Sequence, residues 1–234
     1  MAKLIVPDCL FPSDNAAEIP LLRADMQATA CNIPFCCYGE NKRTAVINGG
    51  TIHFYTDDYR YETVYEHPEK ILAAQPSNII EPNFSLYRET PIAFGLQQIY
   101  KKRWVARYLQ DNGVRIFVDL NVAPKFYKLN LQGVPHGWRA FATRGYSDRL
   151  QFLEFEYNLA CEWADGEPLF VIYSGGEKCN HFAKTHPGCV YLSPQVRDYE
   201  RNKKNAQKAI ADSVSLFPSE LLEPLKIELS SGLK

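Results

Sequence analysis

Five strand-like runs in this chain each end in a small polar cluster, and helix-like segments separate most of them. The runs are Thr51-Ile-His-Phe-Tyr into Asp57-Asp58, Asn78-Ile-Ile into Glu81-Pro-Asn83, and Val114-Arg-Ile-Phe-Val into Asp119-Leu-Asn121. Two more follow, Arg139-Ala-Phe-Ala into Thr143-Arg144-Gly145 and Leu169-Phe-Val-Ile-Tyr into Ser174-Gly175-Gly176. A sixth run at 189–192 ends the alternation. Strands spaced by helices need crossover connections, and crossovers build a parallel sheet. The fold expected is therefore α/β, a parallel sheet with alternating helices. Two architectures fit: an incomplete or small TIM-like barrel, and an open doubly wound sheet. The barrel-like form is favoured because nearly every strand ends in polar residues, whereas an open sheet gathers its site at one switch point.

The 234 residues suit a single domain spanning 1–234. Pro7, Pro12, Pro20 and Pro34 keep residues 1–50 irregular, so this stretch is expected to lie as a layer over the core. The alternating core runs from 51 to 192. Its helices are predicted near 59–74, 90–111, 125–131, 147–164 and 177–185. Asn112-Gly113 stops the long helix, with Gly just past its end. A charged helix is predicted over 196–211, followed by a loosely attached tail to 234. No run approaches the length of a membrane-spanning helix, and the start is a poor export signal. Seven cysteines without disulfide-framework spacing then read as reduced thiols, which implies a cytoplasmic protein.

The strand ends supply the candidate chemistry. Asp57, Asp58 and Asp119 are the candidate catalytic acids, with Arg144 as a bidentate partner for phosphate or carboxylate. Glu81, Asn83, Ser85, Asn121 and Thr143 stand at the same level as ligand-binding groups. Ser174-Gly175-Gly176 joins them as a glycine turn before a helix, a geometry that can cradle phosphate. Carboxylates from separate strands can converge on Mg²⁺ or Mn²⁺. The same acids also serve as helix caps or ion-pair partners, so no metal site is assigned and the cofactor is left unknown. Cys179, His181, His186 and Cys189 are metal-capable, but their spacing matches no common zinc finger.

The stretches His53-Phe-Tyr-Thr-Asp-Asp-Tyr-Arg-Tyr-Glu62, Glu81-Pro-Asn-Phe-Ser-Leu-Tyr87 and Tyr100-Lys-Lys-Arg-Trp-Val-Ala-Arg-Tyr108 carry a further signal. So do Phe117-Val-Asp-Leu-Asn121, Gly133-Val-Pro-His-Gly-Trp138, Ala142-Thr-Arg-Gly145 and Tyr173-Ser-Gly-Gly176. Over about 51–192 the chain resembles a domain-of-unknown-function family found in phages, plasmids, integrative elements and some bacterial genomes. The family pattern has Phe where Tyr61 stands and often Trp where Leu109 stands. The resemblance implies a mobile-element setting, often near DNA metabolism. It transfers no activity and no catalytic residue.

With 26 basic and 27 acidic residues the whole molecule exerts no pull on a polyanion, so any nucleic-acid contact needs a local patch. The predicted long helix holds Lys101, Lys102, Arg103 and Arg107 among aromatic residues, and the late helix holds Arg201, Lys203 and Lys204. At about 100° per residue, Arg103 and Arg107 fall on the apolar face and Lys101 and Lys102 point away. Three readings follow. The first is a mobile-element nucleic-acid-processing protein acting at the strand-end pocket. The second is a non-catalytic DNA- or RNA-binding factor using the two basic patches. The third is a small-molecule enzyme using the same pocket.

Overall fold

The structure, a computed structural model, describes residues 10–39 and 49–194. The chain divides into two compact units, Met1–Leu192 and Ser193–Lys234, and the fold below is that of the first. The helix expected at 196–211, with Arg201, Lys203 and Lys204, lies outside the described residues.

Seven parallel strands form one sheet in the order of the sequence. They are β1 (Phe35–Cys37), β2 (Thr51–His53), β3 (Asn78–Ile80), β4 (Arg115–Asp119), β5 (Ala140–Arg144), β6 (Leu169–Tyr173) and β7 (Cys189–Leu192). Helices α1 (Glu69–Leu72), α2 (Ile92–Asp111), α3 (Tyr127–Asn130), α4 (Leu150–Trp163) and α5 (Gly176–Thr185) fill the connections. The apolar runs of β4, β5 and β6 are almost wholly buried, as strands covered on both faces must be.

The sheet is curled into a half-barrel. Four strand spacings separate β2 from β6, about 19 Å in a flat sheet. Yet the His53 and Tyr173 rings, one on each strand, have centroids 4.4 Å apart. Phe35 of β1 also meets Tyr173, at 5.8 Å. These rings fill the trough that curling creates. Register places Asp119, Ala142 and Val171 on one face, shared with Tyr173 two residues on. The opposite face meets the helices: Glu81 reaches α2 and Thr143 reaches α4.

Two differences from the sequence reading have simple causes. Strand β1 lies within the stretch expected to be irregular. It is three residues long, too short for periodicity to reveal. The helix expected near 59–74 is split into two 3₁₀ turns, Asp58–Arg60 and Glu62–Val64, and the single helical turn α1. Elsewhere residues 20–30 run past the amino ends of β3 and β4. The Ala28 N–H donates to the Ile116 carbonyl (2.9 Å), and the Asn78 side-chain amide donates to the Ala30 carbonyl (2.8 Å). That contact leaves the carboxyl ends of the same strands clear.

Candidate functional site

Beneath the carboxyl ends of β3 and β4 lies a buried ionic floor. Glu81 pairs with Arg103, whose guanidinium also donates to the Asn130 carbonyl. The second Glu81 oxygen accepts from the Asp119 N–H (3.2 Å). Lys102 donates to the Asp119 carbonyl (3.1 Å), and its ammonium lies 3.5 Å from the Asp119 carboxylate. Tyr55 donates its hydroxyl to the same carboxylate (3.0 Å). Burial pushes the Asp119 carboxyl up and the Lys102 ammonium down, and their mutual attraction opposes both shifts. Asn83 and Asn121 cover this floor. The Asn83 amide satisfies its neighbours when its nitrogen donates to the Asn121 carbonyl (3.1 Å) and Asp119 (3.3 Å) and its oxygen accepts from the Asn121 side chain (2.8 Å).

Above the floor opens a cleft of about 1230 Å³. Asp57, Asp58, Asn83, Ser85, Asn121 and Arg144 all line it. Asp58 is held in place: it accepts from the Ser85 N–H (3.0 Å), the Ser85 hydroxyl (2.9 Å) and the Tyr61 hydroxyl (2.8 Å). Arg144 and Arg149 flank the Tyr146 ring, with guanidinium carbons 5.4 and 5.2 Å from its centroid. Among the described residues Arg144 has no carboxylate partner, and Arg149 has only exposed Asp148 at 3.8 Å. Gln98, on α2, adds a buried side-chain oxygen that accepts no hydrogen bond.

Four aromatic side chains stand open to solvent along the cleft: Tyr59 (66% exposed), Tyr87 (65%), Phe94 (49%) and Phe152 (39%). Folding normally removes such rings from water, so four around one cleft form a surface suited to stacking.

The deepest ionisable group is Glu156 of α4, which lines the cleft yet is only 5% exposed. Thr143 donates its hydroxyl to one carboxyl oxygen (2.6 Å) and Tyr127 to the other (3.2 Å). No lysine or arginine pairs with it among the described residues. Burial pushes its pKa up to about 8, against the pull of the two hydroxyls. A buried carboxyl with a perturbed pKa on a cleft wall is what acid–base and ligand-binding sites require.

Several expected site residues sit elsewhere. Glu81 and Asp119 are fully buried and carry the ionic floor, and neither lines the cleft. Thr143 is buried and serves Glu156. Ser174, Gly175 and Gly176 do not line the cleft. They form a left-handed turn packed on Cys179, where a Cβ at Gly175 would come within 2.2 Å of the Cys179 sulfur. The basic patch on α2 is also dissolved. Lys102 and Arg103 are buried, and Arg107 donates to the Leu21 carbonyl (2.9 Å). Helical periodicity assumes one buried face, but positions 102–106 are buried all round because chain packs on both sides of α2. Lys101, over the Tyr65 ring, and Arg107 keep partial exposure. Among the described residues no group of three His, Cys, Asp or Glu is placed to hold a metal ion. His186 stacks on Phe182 with centroids 3.7 Å apart, and Cys179 is buried in the core. No helix among the described residues is long and apolar enough to cross a membrane.

A family profile described as "Domain of unknown function (DUF4417)" matches residues 11–158. The chain belongs to this DUF4417 family. The chain is also similar to the "Gene 1 protein" of Mycobacterium phage D29, 34% identical over 130 residues, covering 54% of this chain and 48% of that protein. The "Gene 1 protein" of Mycobacterium phage L5 is 34% identical over 134 residues, covering 54% of this chain and 56% of that protein. The chain thus spans about half the length of the curated relatives it matches. No solved structure gives a significant match. The DUF4417 segment ends just beyond Glu156, so every residue lining the cleft lies inside it, while β6, α5 and β7 lie outside.

Sequence reading missed Glu156, Tyr127, Arg149, Gln98 and the four exposed rings. One signal was available for some of this set. Arg149, Phe152, Leu153 and Glu156 recur at helical spacing and all line the cleft, so α4 presents a mixed stripe instead of a purely apolar one.

Proposed function

We propose that this DUF4417 protein acts on single-stranded nucleic acid in a mobile-element setting, at the cleft over the carboxyl ends of β2–β5. One observation carries the reading: the cleft combines the Arg144 and Arg149 guanidinium groups, which pair with no buried carboxylate among the described residues, with four solvent-exposed aromatic rings. Guanidinium holds phosphate bidentately. Exposed rings stack bases without regard to sequence, each stack worth about 1–3 kcal/mol. Neither group alone would distinguish nucleic acid from other anions or from apolar ligands. The unpartnered Gln98 oxygen offers an acceptor that a base amino group would satisfy. Phage-encoded relatives support the setting. The α2 patch of the non-catalytic binding reading is largely buried, with Lys102 and Arg103 inside the protein, while its late patch of Arg201, Lys203 and Lys204 lies outside the described residues.

Fluorescence anisotropy with labelled single-stranded and duplex oligonucleotides, at low and physiological salt, tests the proposal. Single strands should bind, weakening as salt rises. The double variant R144A/R149A should lose most of that affinity. Absence of binding at low salt, or binding unchanged in the double variant, would overturn the assignment.

A further inference from the structure

Arg149 immediately precedes α4, and Glu156 lies seven residues on, within the helix. On a helix that is two turns, or about 10 Å along the axis, and both residues line the cleft. A ligand holding phosphate against Arg149 would therefore present to Glu156, at the buried end, whatever group lies a nucleotide unit further along. Buried acids are ordinarily paired with cations. Here two hydroxyl groups stand where a cation would be expected, at 2.6 and 3.2 Å. Burial without a cation favours the neutral carboxyl, against the two donated hydrogen bonds, which favour the charged one. A neutral carboxyl offers one donor and one acceptor, and it does not repel an anion held nearby.

Resting on the nucleic-acid reading above, we infer that Glu156 is the specificity-determining contact for the buried end of the bound nucleotide, which it engages as a neutral carboxyl donating a hydrogen bond. The ligand group that reaches it carries an uncharged acceptor, such as a base ring nitrogen or carbonyl. Phosphate stays outside, on the arginines.

The groups facing Glu156 allow the proton to be followed. Tyr127 and Tyr55 are both held protonated well above the usual tyrosine range by burial and by nearby carboxylates. Asp119 raises the Glu156 pKa and is itself tied to Lys102. Glu156, with a pKa pushed to about 8, changes charge in the mildly alkaline range, and the E156Q variant separates its titration from that of Lys102, whose ammonium burial pushes down.

The test is anisotropy with a labelled single-stranded oligo(dA) of about ten residues, whose bases do not titrate in this range, from about pH 6.5 to about pH 9.5. Wild-type affinity should be level below about pH 8 and then fall by up to about tenfold per pH unit, as one proton is lost. E156Q, a neutral amide of the same shape that cannot lose a proton in this range, should lose the alkaline decline whatever its affinity at low pH. T143V removes a hydroxyl that stabilises the charged form, so its decline should begin at higher pH. Melting curves across the same range separate these effects from unfolding. A wild-type affinity that does not change with pH, or an alkaline decline that persists in E156Q, would overturn the role of Glu156 and leave the nucleic-acid reading standing. Failure of wild type to bind at any pH would instead remove the nucleic-acid reading, and this inference with it.

Discussion

The His53 ring on β2 lies 4.4 Å from the Tyr173 ring on β6, at an interplanar angle of 39°. Phe35 also stacks on His53, at 4.6 Å, and the three rings form one cluster. Burial among these rings, with Arg144 as a nearby positive charge, depresses the His53 pKa to about 3. The folded protein therefore binds fewer protons than the unfolded chain between about pH 6.5 and pH 3. Stability from this site is present above the unfolded value and is lost as pH falls toward the folded one. H53F keeps the stacking and cannot take a proton. Its unfolding free energy, measured by urea titration, should decline less between pH 6.5 and 4 than that of wild type. Equal slopes would show that His53 does not titrate as its surroundings require.

Glu156 acts at the other end of the pH scale. Its folded pKa of about 8 lies above the unfolded value, so the folded state retains a proton that the unfolded chain releases. Stability from this group is complete below the unfolded pKa and is lost as pH rises through the folded one. At pH 9, E156Q should be more stable than wild type by a few kcal/mol, on the order set by a shift of this size, with the difference shrinking toward pH 5. Chemical denaturation at the two pH values decides the point.

Gly95 brings α2 against the Phe126 ring. A Cβ added there would sit 2.1 Å from a ring carbon of Phe126, which is itself fully buried. G95A should destabilise the fold by about 1–3 kcal/mol through overpacking. F126L should recover some of that loss in the G95A background, read as a rise in melting temperature over G95A alone.

The Glu81–Arg103 pair is wholly inside the protein. Removing one partner strands the other charge. E81M or R103M alone should cost about 3–5 kcal/mol, and E81M/R103M should cost less than the two singles combined. A double-variant cycle by chemical denaturation measures the coupling.

The alternation of strand and helix was legible because burial on both faces writes an apolar run, as in Ile116-Phe117-Val118 and Phe170-Val171-Ile172. The carboxyl-end polar residues were legible for the same reason: Asp58, Asn83, Asn121 and Arg144 follow those runs directly, and all four line the cleft. Whether a polar residue faces solvent or an internal partner was not legible. Asp119 and Asn121 stand two apart in sequence, and one carries the ionic floor while the other lines the cleft. That outcome depends on Lys102, which arrives from α2 by tertiary packing. Glu156 escaped notice because a glutamate in mid-helix reads as solvated surface unless its burial is known.

The floor also shapes how the cleft meets a charge. Glu81 and Asp119 are matched by Arg103 and Lys102, and the paired asparagines above them are neutral. The charges of the floor are therefore paired one to one, while the guanidinium groups near the Tyr146 ring pair with no buried carboxylate among the described residues. A polyanion approaching from solvent would meet these cations at the lip and no unpaired charge in the floor. Its backbone would lodge along that lip, and only uncharged groups would find the interior worth entering.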